Sequence, residues 1–249
     1  MDRERSEAHA VIPARYASSR LPGKALLLLK GRPMFYHVWR RAKLCPDLSS
    51  VTLATDDARI RDAALALQVP VIMTRTEHQS GTDRVYEAAR LLKIPPGAIV
   101  LNIQGDEPTL DPALISKLLR AFADPAVRVA TAAHSLRAED LENRDQVKVV
   151  LDAKGDALYF SRAGIPFPRD GESPASFLGH TGIYAFTMRT LKKFVSLPPS
   201  LLERTEKLEQ LRLLENSVKI RVVLTDKVPP GVDRKADVDA VLPFVDDYR

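Results

Sequence analysis

Ala10-Val11-Ile12-Pro13, followed without a break by Ala14-Arg15-Tyr16-Ala17-Ser18-Ser19-Arg20-Leu21-Pro22-Gly23-Lys24, reads as a buried strand that opens into a cationic loop. Arg15, Arg20 and Lys24, with the hydroxyls of Ser18 and Ser19, give that loop the charge and the donors to neutralise a polyphosphate. The glycine spacing of a Walker A element or a dinucleotide fingerprint is missing, so side chains more than bare amides would supply the charge. Taken alone, the stretch reads equally well as a basic surface loop turning at Pro22-Gly23.

Outward from this strand, apolar runs of strand length recur at 51–54, 69–73 and 99–103. Segments with helical spacing of apolar residues, 34–44 and 57–68, lie between them. This alternation is the pattern of an α/β chain with a mixed, mostly parallel central sheet flanked by helices. Trp39 belongs to an apolar helical stripe and is expected in the core. Beyond Asp111-Pro112, a helix start with proline at its first position, a helix should reach about 122. Further strands are expected at 128–133, 147–151, 157–160, 181–186 and 218–224, with a helix over 203–214. The loop 166–176, dense in Pro, Gly, Asp and Ser, reads as a flap or as an inert surface turn.

Composition narrows the class. A chain of 249 residues suits one large α/β domain or two small ones, and no linker or repeat divides it, so a single domain over 1–249 is expected. Residues 1–8 are expected to lack order. With 45% hydrophobic and 28% charged residues the composition is that of a soluble globule. The net charge of +5 suits an acidic ligand, but the cations are scattered among 32 acids and aromatics make up only 6%, which argues against nucleic acid as a partner. Cys45 is the only cysteine, so an internal disulfide and a cysteine zinc cluster are both excluded. No apolar run approaches the roughly 18 residues of a spanning helix, and Met1-Asp2-Arg3-Glu4-Arg5-Ser6-Glu7 is too charged for a signal peptide. A cytoplasmic location without membrane association is expected.

Two further segments carry chemistry. Gln104-Gly105-Asp106-Glu107-Pro108 follows the strand at 99–103, and ligands of open α/β sheets bind outside the carboxyl ends of the strands. Asp106 there is a candidate magnesium ligand, since that ion takes few protein oxygens and keeps nucleotide phosphates and water; the plainer reading is a turn-capping Asp. Thr74-Arg75-Thr76-Glu77-His78-Gln79-Ser80-Gly81-Thr82-Asp83-Arg84 follows another strand. Its Ser, Gly and Thr suit the edge of a base and its Arg75 or Arg84 a phosphate or ribose, while Ser80 or Thr82 also suits the cap of a helix starting near Asp83.

These motifs, with 147–165 including Tyr159-Phe160-Ser161-Arg162, 180–184, and Leu208-Glu209-Gln210-Leu211-Arg212, closely resemble the 3-deoxy-manno-octulosonate (Kdo) cytidylyltransferase family over nearly the whole chain and in order. The resemblance implies a Rossmann-like nucleotide-diphospho-sugar transferase fold, a homodimer, and CMP transfer from CTP to an acidic eight-carbon sugar for lipopolysaccharide or capsule assembly. A strand-rich part at about 125–190 would serve sugar binding and dimerisation. By the same resemblance Arg15, Arg20 and Lys24 contact the triphosphate, and Ala14, Ser19, Arg75, Ser80, Gly81 and Gln104 complete the nucleotide site. Asp106 and Asp233 would hold Mg2+. Gln104, Arg162, His180, Tyr184, Glu209 and Gln210 would line the sugar pocket, and Arg15, Lys24 and Asp106 would carry catalysis.

Taken singly, Arg162 suits a surface ion pair, His180 a solvated turn, Tyr184 a core ring and Glu209 an exposed helix face. The chain also departs from the family pattern. Where the family usually reads Gly-Val-Asp-Thr-Pro-Glu-Asp-Leu, this chain has Gly231-Val232-Asp233-Arg234-Lys235-Ala236-Asp237-Val238. Pointing with Asp233, Arg234 would compete with magnesium for the carboxylate or contact a more anionic substrate; pointing outward, it would be neutral. Gly179 stands where the family commonly has Lys or Arg, and Phe167-Pro168 replaces an aromatic-acid pair. Another acid acceptor, such as an amino-substituted Kdo, a different 2-keto sugar acid or a phosphonate, and a non-catalytic nucleotide-binding regulator remain the alternatives.

Overall fold

The strand read at 10–13 is β1 (Ala8–Ala14), with fully buried Val11 and Ile12 facing opposite layers of the protein. The computed structural model describes residues 7–17, 21–169, 177–226, 230–232 and 234–246. After β1 come a small hairpin of β2 (Leu28–Leu29) and β3 (Arg32–Pro33), then α1 (Met34–Lys43), β4 (Ser50–Thr55) and α2 (Ala58–Ala66). The first half continues with β5 (Val71–Met73), α3 (Gly81–Leu91), β6 (Ile99–Asn102) and α4 (Pro112–Arg120). The second half holds β7 (Val129–Ser135), β8 (Lys148–Leu151), β9 (Ala157–Ser161), β10 (Leu178–Thr187) and α5 (Met188–Ser196). It ends with α6 (Leu201–Glu206), α7 (Leu211–Glu215), β11 (Arg221–Leu224) and α8 (Asp237–Val241).

The main sheet runs β11-β7-β10-β6-β1-β4-β5, with β8 pairing to β10 and β9 to β8. β6, β1, β4 and β5 are mutually parallel, and β11 is parallel to β7. β10 is antiparallel to both β6 and β7, so along this path one reversed strand sits inside a mostly parallel sheet. Helices cover both faces, as a sheet buried on two sides requires. Phe35, Val38 and Trp39 of α1 and Leu114 and Ile115 of α4 fill one layer. Val85 and Ala88 of α3 and Leu191 and Phe194 of α5 fill the other. No helix among the described residues is long and apolar enough to cross a membrane.

Local chemistry accounts for most helix starts. Asp57, Ser80, Asp111 and Thr187 cap α2, α3, α4 and α5 with side-chain oxygens, and at the start of α6 the Ser200 N–H donates to Glu203 at 3.0 Å. The single helix expected over 203–214 is instead α6 and α7, because Lys207 adopts a left-handed conformation (φ 56°) that ends α6. Between them, residues 208–210 form a turn that carries Glu209 and Gln210 inward. The strand expected at 69–73 is shortened to β5, and that at 218–224 to β11. β1 takes in Ala8, which lies within the stretch expected to lack order, while residues 1–6 lie outside the described ones. Residues 170–176 of the flap candidate also lie outside them.

Candidate active site

The carboxyl ends of β1 and β6 meet in a cavity of about 270 Å³. Ala14, Arg15 and Lys24 border it from the β1 side, Gln104, Gly105 and Asp106 from the β6 side. Ser80 and Gly81, at the start of α3, close a third side. Lys24 Nζ donates to Asp106 Oδ2 at 2.8 Å, joining two segments 82 residues apart. Gly105 permits the approach of the two strand ends, because a β-carbon there would stand 3.0 Å from the Pro13 carbonyl oxygen. The loop after β1 is closed by Gly23 N–H donating to the Tyr16 carbonyl at 2.9 Å, and the Arg59 guanidinium lies 3.3 Å from the centre of the Tyr16 ring.

Asp106 and Glu107 are neighbours with different electrostatics. Burial, with Asp106 beside it, pushes the Glu107 carboxyl up to about 8, so near neutral pH it stays largely protonated. The Asp106 carbonyl accepts from Val232 N–H at 3.0 Å, which lays the segment before position 233 against Asp106. Among the described residues no three His, Cys, Asp or Glu side chains cluster as a metal cage. A lone carboxylate facing a phosphate-sized cavity instead suits magnesium, which retains water and phosphate ligands. Asp233, the second metal residue implied by the resemblance, lies outside the described residues, as do Ser19 and Arg20.

His78 and Arg84 also border the cavity, and both are held from behind. His78 Nε2 lies 2.5 Å from Glu87 Oε2, and Arg84 donates to Asp56 at 2.8 Å and Thr74 at 2.6 Å. No nucleotide role falls on His78 from the sequence; its place two residues before the helix-capping Ser80 is the available signal. Arg75 is not among the cavity-lining residues: its side chain is exposed and pairs with Glu87 at 3.2 Å. Burial raises the Glu87 carboxyl, but hydrogen bonds from Arg75 N–H and His78 reverse this and hold it below its usual value.

The remaining predicted residues gather around β10. Its pairing with β7 breaks between Thr181 and Tyr184, where Gly182 and Ile183 bulge out of register. In a regular strand, residues four apart lie about 13 Å from each other. Here the His180 and Tyr184 rings are 5.4 Å apart, and Phe160 stands edge-on to His180 at 5.1 Å. Thr131 Oγ donates to the Ile183 carbonyl at 2.8 Å, so His180 Nε2, 2.9 Å from the same hydroxyl, must be the protonated donor nitrogen. Burial, helped by nearby His134, lowers the His180 pKa to about 3 and keeps the ring neutral. His180 thus lies in a strand and not in a solvated turn.

Burial, with Glu209 close by, holds the Tyr184 phenol well above its ordinary pKa. Glu209 itself sits in the α6–α7 turn, not on an exposed helix face, and accepts from Thr82 Oγ at 3.0 Å. Burial pushes its carboxyl up, opposed by that hydrogen bond. Gln210 is buried with Nε2 unpartnered among the described residues. Gln104 links the two groups of residues, since its Cγ lies 4.0 Å from where a Gly182 β-carbon would be.

Arg162 is not a surface ion pair: it donates to the main-chain carbonyls of Glu206 at 2.9 Å and Arg144 at 3.0 Å. Its own carbonyl accepts from Lys148 Nζ at 2.7 Å, a fully buried ammonium that also binds the Asn143 and Gln146 carbonyls. Arg234 turns outward to Asp145 at 3.5 Å, and its N–H donates to Asp237 Oδ2 at 2.7 Å. A side chain at Gly179 would begin 2.7 Å from His134 Nε2 and 2.8 Å from Gln146 Nε2. A side chain at this position has no room unless these neighbours move.

The sequence profile described as cytidylyltransferase matches residues 9–220. The 3-deoxy-manno-octulosonate cytidylyltransferase of Oleidesulfovibrio alaskensis is 57% identical, over 95% of this chain and 96% of its own. That of Nitratidesulfovibrio vulgaris is 58% identical over 94% of each chain. A solved structure of CMP:2-keto-3-deoxy-manno-octonic acid synthetase in complex with CTP superposes with a TM-score of 0.91 at 44% identity, covering 96% of this chain and 98% of the other. Over nearly its whole length, then, this sequence and fold have curated and solved counterparts, and the chain belongs to the 3-deoxy-manno-octulosonate cytidylyltransferase family.

Proposed function

We propose that this chain transfers CMP from CTP to the anomeric hydroxyl of 3-deoxy-manno-octulosonate, giving CMP-Kdo and pyrophosphate. The observation that carries the reading is the Lys24–Asp106 pair at the shared carboxyl end of β1 and β6, with the polar β10 group reached through Gln104. Arg15 and Lys24, with Arg20, neutralise the triphosphate. The opening turn of α3, at Ser80 and Gly81, adds main-chain donors where a helix N-terminus favours an anion. Ala14 and Gln104 border the nucleoside, and Arg75 reaches it only by leaving Glu87.

Asp106 and Asp233 are the residues that would hold magnesium, which when bound supplies positive charge to the reacting phosphate oxygens. The chain's own task is alignment: the acceptor oxygen must approach the α-phosphorus opposite the bond to pyrophosphate. On the acceptor side His180, Tyr184, Glu209, Gln210 and Gln104 offer hydrogen-bonding groups to sugar hydroxyls, and Arg162, whose Nε and Nη1 already serve main-chain carbonyls, offers its Nη2 and its positive charge to a carboxylate. Neutral His180, with its proton on Nε2, leaves Nδ1 as an acceptor. The same reading takes the chain as one domain that acts as a cytoplasmic homodimer, with the strand-rich part at 125–190 at the subunit contact.

Pyrophosphate release from CTP, followed with magnesium across a panel of acid acceptors, tests this. Release with Kdo is expected. Release only with a different sugar acid or a phosphonate would move the acceptor assignment, and no release with any acid would overturn the enzymatic reading.

A further inference from the structure

Three elements meet behind the proposed acceptor pocket. Asn102 ends β6 and is 1% exposed, Thr82 lies in the first turn of α3 and is 7% exposed, and Glu209 projects from the α6–α7 turn. Asn102 Nδ2 lies 3.3 Å from Thr82 Oγ, and Thr82 Oγ lies 3.0 Å from Glu209 Oε2. The direction of this chain is forced when Glu209 is ionised. A carboxylate only accepts, so the Thr82 hydroxyl spends its one proton on Glu209 and can only accept from Asn102. That in turn fixes the Asn102 amide with its nitrogen toward Thr82, leaving Oδ1 without a partner among the described residues.

Thr82 follows directly on Ser80 and Gly81, which border the nucleotide cavity. The same turn of α3 therefore touches the nucleotide with its first residues and holds Glu209 with the next. We propose that Thr82 is a positioning residue for the acid acceptor: backed by Asn102, it holds the Glu209 carboxylate in place and ties the acceptor side to the helix start that borders the nucleotide. This rests on the reading of Glu209 as part of the acceptor pocket. A valine at 82 keeps the shape and the β-branching but removes the donor, whereas a serine keeps the donor.

Steady-state kinetics of Thr82→Val, Thr82→Ser, Glu209→Gln and the double variant Thr82→Val/Glu209→Gln test the relay, with thermal melting to confirm folding. Thr82→Val is expected to raise KM for the acid roughly tenfold, the loss of one hydrogen bond to a charged group, with KM for CTP within about twofold. Thr82→Ser should restore the acid KM. The double variant should be no worse than Glu209→Gln alone, because both changes act on one carboxylate. Equal loss for CTP and acid, failure of serine to rescue, or additive losses would overturn the proposal. If Glu209→Gln raises the acid KM while Thr82→Val does not, the relay fails and the pocket stands. If Glu209→Gln leaves the acid KM unchanged, Glu209 leaves the pocket and the relay falls with it.

Discussion

The β1–β6 side of the site and the β10 side treat charge in different ways. On the first, Lys24 and Asp106 stand as a paired cation and anion facing an open cavity. On the second, burial neutralises His180, raises the Tyr184 phenol and pushes the Glu209 carboxyl toward its neutral form. The first arrangement suits a highly charged ligand that brings counter-charge of its own. The second suits a polyhydroxylated ligand recognised by hydrogen bonds, where each unmatched buried polar group costs roughly 1–3 kcal/mol. Strand direction underlies the difference. Parallel β1 and β6 present their carboxyl ends and following loops to solvent, whereas reversed β10 threads its polar side chains through the sheet interior.

The sharpest break in this contrast is Asp106→Asn. Pyrophosphate release should fall by at least about a hundredfold, because charge stabilisation at the reacting phosphate is lost. Thermal melting should still show a cooperatively folded protein, since the Asp106 side chain is 37% exposed and an asparagine amide oxygen can still accept from Lys24. Normal turnover in that variant would remove Asp106 from the charged side.

Lys148→Met tests the scaffold beneath the β10 side. It strips three main-chain carbonyls of their buried donor, and chemical denaturation should register a loss on the order of 3 kcal/mol. An unchanged midpoint would mean that the carbonyls find other partners.

Neutral His180 makes a pH prediction. Its folded pKa of about 3 lies below the ordinary 6.5, so the unfolded chain binds the extra proton. Its contribution to stability is complete above 6.5, declines as pH falls below that value, and is exhausted near 3. Urea midpoints measured down this limb should decline less steeply in His180→Gln. Identical slopes would place the acid sensitivity elsewhere.

Smaller effects follow at the edges. Gly179→Ala must displace His134, Gln146 or Leu136 and should cost roughly 1–3 kcal/mol by overpacking, read from thermal melts. Arg75→Gln should change stability by less than about 1 kcal/mol, because its pair with Glu87 is exposed on the arginine side. A raised KM for CTP in that variant would show that Arg75 swings to the nucleotide; an unchanged one would leave it a surface residue.

The α/β alternation, the strand that launches the cationic loop, the Asp111-Pro112 start and a helix start capped at Ser80 or Thr82, of which the fold uses Ser80, are legible because each depends on residues within a turn or two of one another. Lys207 is not. A lysine carries no signal for the left-handed conformation, so one helix was read where α6 and α7 stand, and the inward turn holding Glu209 stayed hidden. Helix α5 also escaped, although its Thr187 cap is a local signal, because the strand before it dominated the apolar pattern.

Sequence by itself determined the type and order of most elements, the chemistry at the ends of β1 and β6, and the family, since periodicity, capping and ordered motifs are short-range properties of the chain. Tertiary structure alone decided that Lys24 meets Asp106, that the bulge at Gly182 and Ile183 draws His180 onto Tyr184, and that Thr82 reaches Glu209 127 residues away. Those contacts depend on strand order, on one reversed strand and on a break in register. Such features arise from burial and pairing across the whole sheet, and no local stretch of residues encodes them.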